Sequence, residues 1–136
     1  MRILAVDPGS KRVGVAVSDP SGTIAQALTT VPAAPAETLA ERLAGIAQEQ
    51  EAGRIVVGLP RRLDGSEGPE AKSARSLAEE LRRAARLPVE LVDERLTTAQ
   101  AERAMIDAGT RRARRRESID QVAATLLLQS HLDRKR

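Results

Sequence analysis

The sequence predicts an α/β domain: a mixed five-stranded sheet, its first three strands antiparallel, flanked by helices. Three observations carry this reading. Two apolar runs, residues 3–6 and 13–17, flank a short glycine-containing connection, as the strands of a hairpin do. From residue 37 onward, segments of helical periodicity alternate with short apolar runs, the pattern of strand–helix units on a sheet. A length of 136 residues buries one core but not two, so residues 1–136 are read as a single domain.

The elements follow in order. After the hairpin, Asp19-Pro20-Ser21-Gly22 is a turn signal. Residues 23–31 read as a third strand, ended by Pro32 and Pro35. Over residues 37–51, Leu39, Leu43, Ile46 and Ala47 recur at helical spacing, and Gly53 marks the stop. Residues 54–59 form a short buried strand closed by Pro60, and residues 61–69 a polar loop. A second helix carries Ala74, Leu77, Ala78, Leu81 and Ala85 on one face and ends before Pro88. Residues 89–92 give a fifth strand leading into Asp93 and Glu94. Thr97-Thr98-Ala99-Gln100 fits a capping box that opens a third helix toward Gly109. An arginine-rich interhelical loop follows, and a last helix over residues 118–132 buries Ile119, Val122, Ala123, Leu126 and Leu127.

Composition narrows the chemistry. Without cysteine there is no disulfide, thiolate nucleophile or cysteine zinc site, and the expected location is a reducing cytoplasm. A single histidine, His131, read as a partly exposed packing residue, removes multi-histidine zinc sites. Any metal then leans on carboxylates, which favours magnesium or manganese. No stretch is apolar enough to span a membrane and no signal peptide is evident, so no membrane partner is expected. The absence of Phe, Tyr and Trp rules out aromatic stacking platforms, leaving phosphate contacts to carry any nucleic-acid affinity. Charge supports that route: residues 1–70 sum to −2 and residues 71–136 to +5, and 19 of the 22 basic side chains are arginines, whose planar fork suits phosphate.

Three acids stand at special positions. Asp7 closes the first strand, Asp93 or Glu94 closes the fifth, and Asp120 opens the last helix. Carboxylates gathered from distant segments onto one sheet edge are what a metal-dependent phosphodiester cleaver needs. Each has a plainer role available: Asp7 as the initiator of a Pro8-Gly9 turn, the 93–94 pair as a solvated strand end, Asp120 in the favourable field of a helix N-terminus. Side-chain alternation lets one of Asp93 and Glu94 share a face with Asp7, and sequence does not choose which. The run Arg111, Arg112, Arg114, Arg115 and Arg116 just before Asp120 would attract a polyphosphate, or simply line a solvated loop.

These motifs resemble the YqgF (RuvX) family, Holliday-junction-resolvase-like members of the ribonuclease-H-like superfamily. The resemblance covers nearly the whole chain. It rests on Asp7-Pro8-Gly9 with Lys11-Arg12-Val13-Gly14 and on Gly58-Leu59-Pro60 with Asp64-Gly65-Ser66-Glu67-Gly68-Pro69. It continues through Asp93-Glu94-Arg95-Leu96-Thr97-Thr98 to Ile119-Asp120-Gln121-Val122. It implies a ribonuclease-H-like fold with helices on both sheet faces and metal-dependent cleavage of structured RNA or branched DNA, with Asp7, Glu94 and Asp120 as ligands of Mg2+ or Mn2+. It also selects Glu94 over Asp93. Lys11, Arg12, Arg61, Arg62, Arg95 and the arginines of 111–116 become candidates for positioning phosphates. Leu77 and His131 stand where the family commonly has aromatics, and Arg61 and Arg62 where it more often has neutral side chains. A resolvase making paired cuts would be expected to form a homodimer. Two rivals remain at this level: a non-catalytic nucleic-acid-binding ribosome-assembly module, and an actin/Hsp70-like nucleotide-binding module, whose phosphate hairpin looks like residues 7–14 but whose architecture requires a second domain.

Overall fold

In a computed structural model, which describes residues 1–62, 64–93 and 112–134, the first two apolar runs pair as expected. Strand β1 (Arg2–Pro8) lies antiparallel to β2 (Arg12–Ser18), and β2 antiparallel to β3 (Ala25–Pro32). Helix α1 (Ala36–Glu49) crosses to β4 (Ala52–Leu59), and α2 (Pro69–Ala85) crosses to β5 (Val89–Asp93). Both crossovers set their strands parallel, giving the order β3-β2-β1-β4-β5. Helix α3 (Arg112–Arg134) is the last element. The expected helix over 97–109 lies outside the described residues, and no described helix is long and apolar enough to cross a membrane.

The two sheet faces are built differently. One carries Leu4, Val6, Val13, Val15, Ile55 and Val57 against Leu39 and Leu43 of α1 and Leu77 and Leu81 of α2. The other carries Ala5, Ala16, Val56 and Val92 against Ala124, Leu127, Leu128 and Leu132 of α3. Strands covered on both faces need apolar residues at successive positions, which is why β1, β2 and β4 read as continuous runs rather than as alternation. The alanines Ala5 and Ala16, paired across β1 and β2, let α3 lie close to the sheet.

Several boundaries move for identifiable reasons. Strand β3 starts two residues late because the Asp19 carboxylate takes the N–H groups of Thr23 and Ile24 (2.7 and 2.8 Å), holding both in the turn. Helix α1 ends before Glu51, which adopts a left-handed φ of 55°, so Gly53 belongs to β4 instead of capping the helix. His131 is buried (3% exposed), not partly exposed, with Nδ1 3.2 Å from Glu90 Oε2.

The largest correction concerns α3. It begins at Arg112 and not near 118, so Arg112, Arg114, Arg115 and Arg116 occupy its first turns instead of a loop. Arginine is a good helix former, and a charge run is no evidence against helix. Asp120 is accordingly the ninth residue of α3, beyond the first turn where the helix dipole would favour a carboxylate. Arg111 falls outside the described residues.

Candidate active site at the carboxyl edge of the sheet

Asp7 ends β1 on the face that α3 covers, because it alternates with Leu4 and Val6, which point to the other side. It is buried, 8% exposed, an expensive location for a carboxylate without compensating charge. Its two in-sheet neighbours on that face are glycines. Gly14 stands directly across on β2, and Gly58, two residues past Val56, holds the corresponding place on β4. A glycine inside a strand often marks a close approach by a ligand. Here two glycines leave room over one acid. The Asp7-Pro8-Gly9 turn is tight: a Cβ on Gly9 would lie 2.5 Å from the Arg12 carbonyl oxygen.

At the fifth strand the register fixes the face that Asp93 takes. Asp93 pairs with Leu59, a core residue of the α1/α2 side, so Asp93 lies on the face opposite Asp7. It receives Arg61 instead, with Nη1 3.9 Å away. Glu94 and Arg95 lie outside the described residues, as does Arg111. Among the described residues no group of three or more acid or histidine side chains gathers to hold a metal.

Position 120 can be located along α3. Gln129 accepts the Ala25 N–H (2.9 Å) and donates to the Thr23 carbonyl (3.1 Å). Ala25 pairs with Ser18, whose hydroxyl accepts the Ile3 N–H at 2.8 Å. Gln129 is thus level with Ile3 at the amino edge. Position 120 is nine residues earlier on the helix, about 13 Å at the helical rise, and Asp7 is four residues beyond Ile3, about 13 Å along the strand. Position 120 is four residues before Ala124 in α3.

The basic candidates divide. Lys11 is exposed at the hairpin tip, and Arg12 is half-buried at the start of β2. Arg61 is held between Asp93 and Glu67, the latter at 3.6 Å. Arg62 folds over its own loop, where a Cβ on Gly68 would meet its Nη2 at 2.8 Å. That loop is braced further. Arg75 forks onto Glu67 (Nε–Oε1 2.9 Å, Nη2–Oε2 2.7 Å), and these hydrogen bonds hold the Glu67 carboxyl below its usual range. Asp64 accepts from the Ser66 hydroxyl and N–H, with the same effect on its carboxyl. Sequence reasoning missed Gly14 and Gly58 as flanking positions, although a glycine inside an apolar strand run is a visible signal.

Comparison with known proteins agrees with this picture. A curated protein of Pelotomaculum thermopropionicum, named "Putative pre-16S rRNA nuclease", is 50% identical over 134 residues, spanning 98% of this chain and 87% of its own. A relative of the same name from Myxococcus xanthus is 47% identical over 136 residues, covering 100% and 90%. Among solved structures, T. thermophilus RuvC in complex with a Holliday junction substrate superposes with a TM-score of 0.62 at 16% identity, over 99% of this chain and 95% of that one. The fowlpox virus resolvase bound to Holliday junction DNA gives 0.60 at 13%, over 99% of each. These two likenesses show the fold, the mixed ribonuclease-H-like sheet. The family model described as RuvX: Holliday junction resolvase matches residues 1–134, and with relatives this similar over nearly their whole length, the chain belongs to the RuvX family of nucleases.

Proposed function

We propose that this protein is a divalent-metal-dependent endonuclease that cleaves phosphodiesters of structured RNA, with processing of the precursor of small-subunit ribosomal RNA as its favoured role and branched DNA as the second substrate class. The observation that carries the reading is the burial of Asp7 at the carboxyl edge, with glycines at the adjacent positions of both neighbouring strands. The names of the relatives favour RNA; the family description favours the junction. The cysteine-free composition fits a reducing cytoplasm.

Asp7, Glu94 and Asp120 would hold Mg2+ or Mn2+. Two lines support joining them: the matched spans from the Gln129 level to position 120 and to Asp7, and the register that sends Asp93 to the far face and so leaves it out of the set. The donor set is oxygen only, which fits hard cations. When bound, such an ion neutralises charge on the phosphoryl group and lowers the pKa of water. The protein's own part is positional. Asp7 is fixed by the strand pairing of β1, Gly14 and Gly58 admit the phosphate, and Lys11 and Arg12 with the arginines of α3 hold neighbouring phosphates in register.

Asp7→Asn keeps the shape and removes the charge. It is expected to lower Mg2+- and Mn2+-dependent cleavage of precursor ribosomal RNA and of a four-way DNA junction by at least about 100-fold, with thermal stability and substrate binding retained. Cleavage at the wild-type rate would overturn the assignment, and binding without cleavage by the wild type on either substrate would leave the non-catalytic module as the better reading.

A further inference from the structure

Strand β5 is the shortest of the described strands, five residues long, and among the described residues it pairs with β4 alone. Its ladder closes with Leu59 opposite Asp93. The residue after Leu59 is Pro60, which has no N–H to carry the pairing further. Asp93 is thus the last rung, and Glu94 is the next residue of the chain. A line of alternating charge starts at that rung. Arg61 Nη1 lies 3.9 Å from Asp93 Oδ2, and Arg61 Nη2 lies 3.6 Å from Glu67 Oε2. Glu67 takes the fork of Arg75 (2.9 and 2.7 Å), and Arg75 stands on α2, a helix of 17 residues. The loop between is closed on itself: the Arg62 N–H donates to the Ser66 carbonyl (2.9 Å), and the Gly65 N–H to the Arg62 carbonyl (2.8 Å). The end of an edge strand is thereby tied, through one guanidinium, to a rigid helix.

We propose, on the reading of Glu94 as a metal ligand, that Arg61 is a positioning residue for the candidate metal site. By tethering Asp93 to the loop anchored on α2, it fixes the end of β5 and the backbone from which Glu94 is offered to a divalent cation. The tether works from the sheet face opposite Asp7, because Asp93 lies on that face. Global stability is the poorer account of this line, since ion pairs as exposed as these each contribute little to folding. Phosphate binding is poorer too, since the guanidinium already faces two carboxylates. Restraint is what such a line supplies, and the affinity of a metal site depends on how firmly the groups behind its ligands hold them. The sign of the effect separates a tether from a field. Arg61 is a cation near a cation site, so through space its removal would tighten metal binding. As a tether, its removal loosens it. Arg75 acts in the same sense, through Glu67.

Calorimetric titration of Mn2+ into the full chain, without nucleic acid, tests this apart from activity. Asp7→Asn should abolish binding, which identifies the titrated site. Arg61→Ala should weaken Mn2+ binding at least about threefold with the melting temperature unchanged. Arg75→Ala should weaken it in the same direction, and the double variant no further than the stronger single one, because both cut one line. Arg61→Lys should restore most of the affinity, since contacts of 3.6 and 3.9 Å need the charge and not the fork. In the metal-free protein, Arg61→Ala should speed hydrogen exchange of amides at the end of β5. Loss of Mn2+ in Asp7→Asn beside unchanged or tighter binding in Arg61→Ala overturns the tether alone, as do single effects that simply add. Wild-type protein that takes up no Mn2+, or an Asp7→Asn variant that takes it up equally, overturns the metal-site reading and the tether's purpose with it.

Discussion

Asp19 shows how far one side chain organises its neighbourhood. Its carboxylate accepts N–H groups from Ile24, Thr23 and Ser21 and the Ser21 hydroxyl, and these bonds, Ile24's foremost, hold its pKa far below the usual carboxylate range. A depressed folded-state pKa means stabilisation that is complete above the unfolded value, near 3.9, and fades as pH falls through the folded one. Asp19→Asn should therefore lower the melting temperature by a constant amount from pH 7 to about pH 5. The gap to wild type should narrow only in stronger acid. A gap that widened on acidification would contradict the turn's electrostatic origin. At this scale the sequence was legible where chemistry is local. Asp7 ends an apolar strand, and its special position can be read directly. The choice between Asp93 and Glu94 could not, because it depends on the pairing of Leu59 with Asp93, a register set by two strands and a crossover helix. Arg61 and Arg62 read as free phosphate ligands, yet one is held by Glu67 and Asp93 and the other folds over Gly68.

Among the elements, α3 carries position 120, the last of the three acids of the proposed site. It is held by Ala124, Leu127, Leu128 and Leu132 against small residues of the sheet, and by Gln129 at the amino-edge corner. Leu128 is fully buried, and Leu128→Ala is expected to cost about 2–5 kcal/mol in chemical denaturation. If α3 carries a metal ligand, the same change should raise the Mg2+ concentration needed for half-maximal cleavage, whereas Leu43→Ala on the other face should lose similar stability without that shift. Equal effects from both would detach α3 from the site. The helix's existence was legible from its apolar spacing, but its start was not. Charged residues in the first turns have no periodic signature, so the arginines looked like a loop, and Asp120 acquired a first-turn role that the structure does not support. The rotation of its buried stripe, with Ala124 and Leu128 inside and Val122 and Leu126 half-buried, reflects where the sheet sits and not the helix itself.

At the scale of the molecule, binding is expected to be electrostatic, since a chain with no aromatic side chain must hold nucleic acid through phosphates. Log K against log salt should be steep, and Arg115→Ala with Arg116→Ala should reduce the slope by about one for each phosphate no longer neutralised. Arg61→Ala should change it little, because that guanidinium is already engaged by carboxylates. A larger effect from Arg61 than from the α3 arginines would reverse the assignment of the binding surface. The strand order was legible as a class because hairpin, crossovers and lengths admit few arrangements. The unequal faces, branched residues throughout on one and alanines mixed with valines on the other, were not, since each strand shows both as a single apolar run.

The way Gln129 ties α3 back to the first hairpin has a consequence in time. Asp7 and position 120 are separated by 113 residues of chain, and translation at ordinary rates needs roughly ten seconds to cover that interval. Throughout it, residues 1–18 can begin to pair as a hairpin, yet the helix that carries position 120 has not been made. If position 120 supplies a metal ligand, the proposed site stays incomplete until synthesis of the chain is nearly finished.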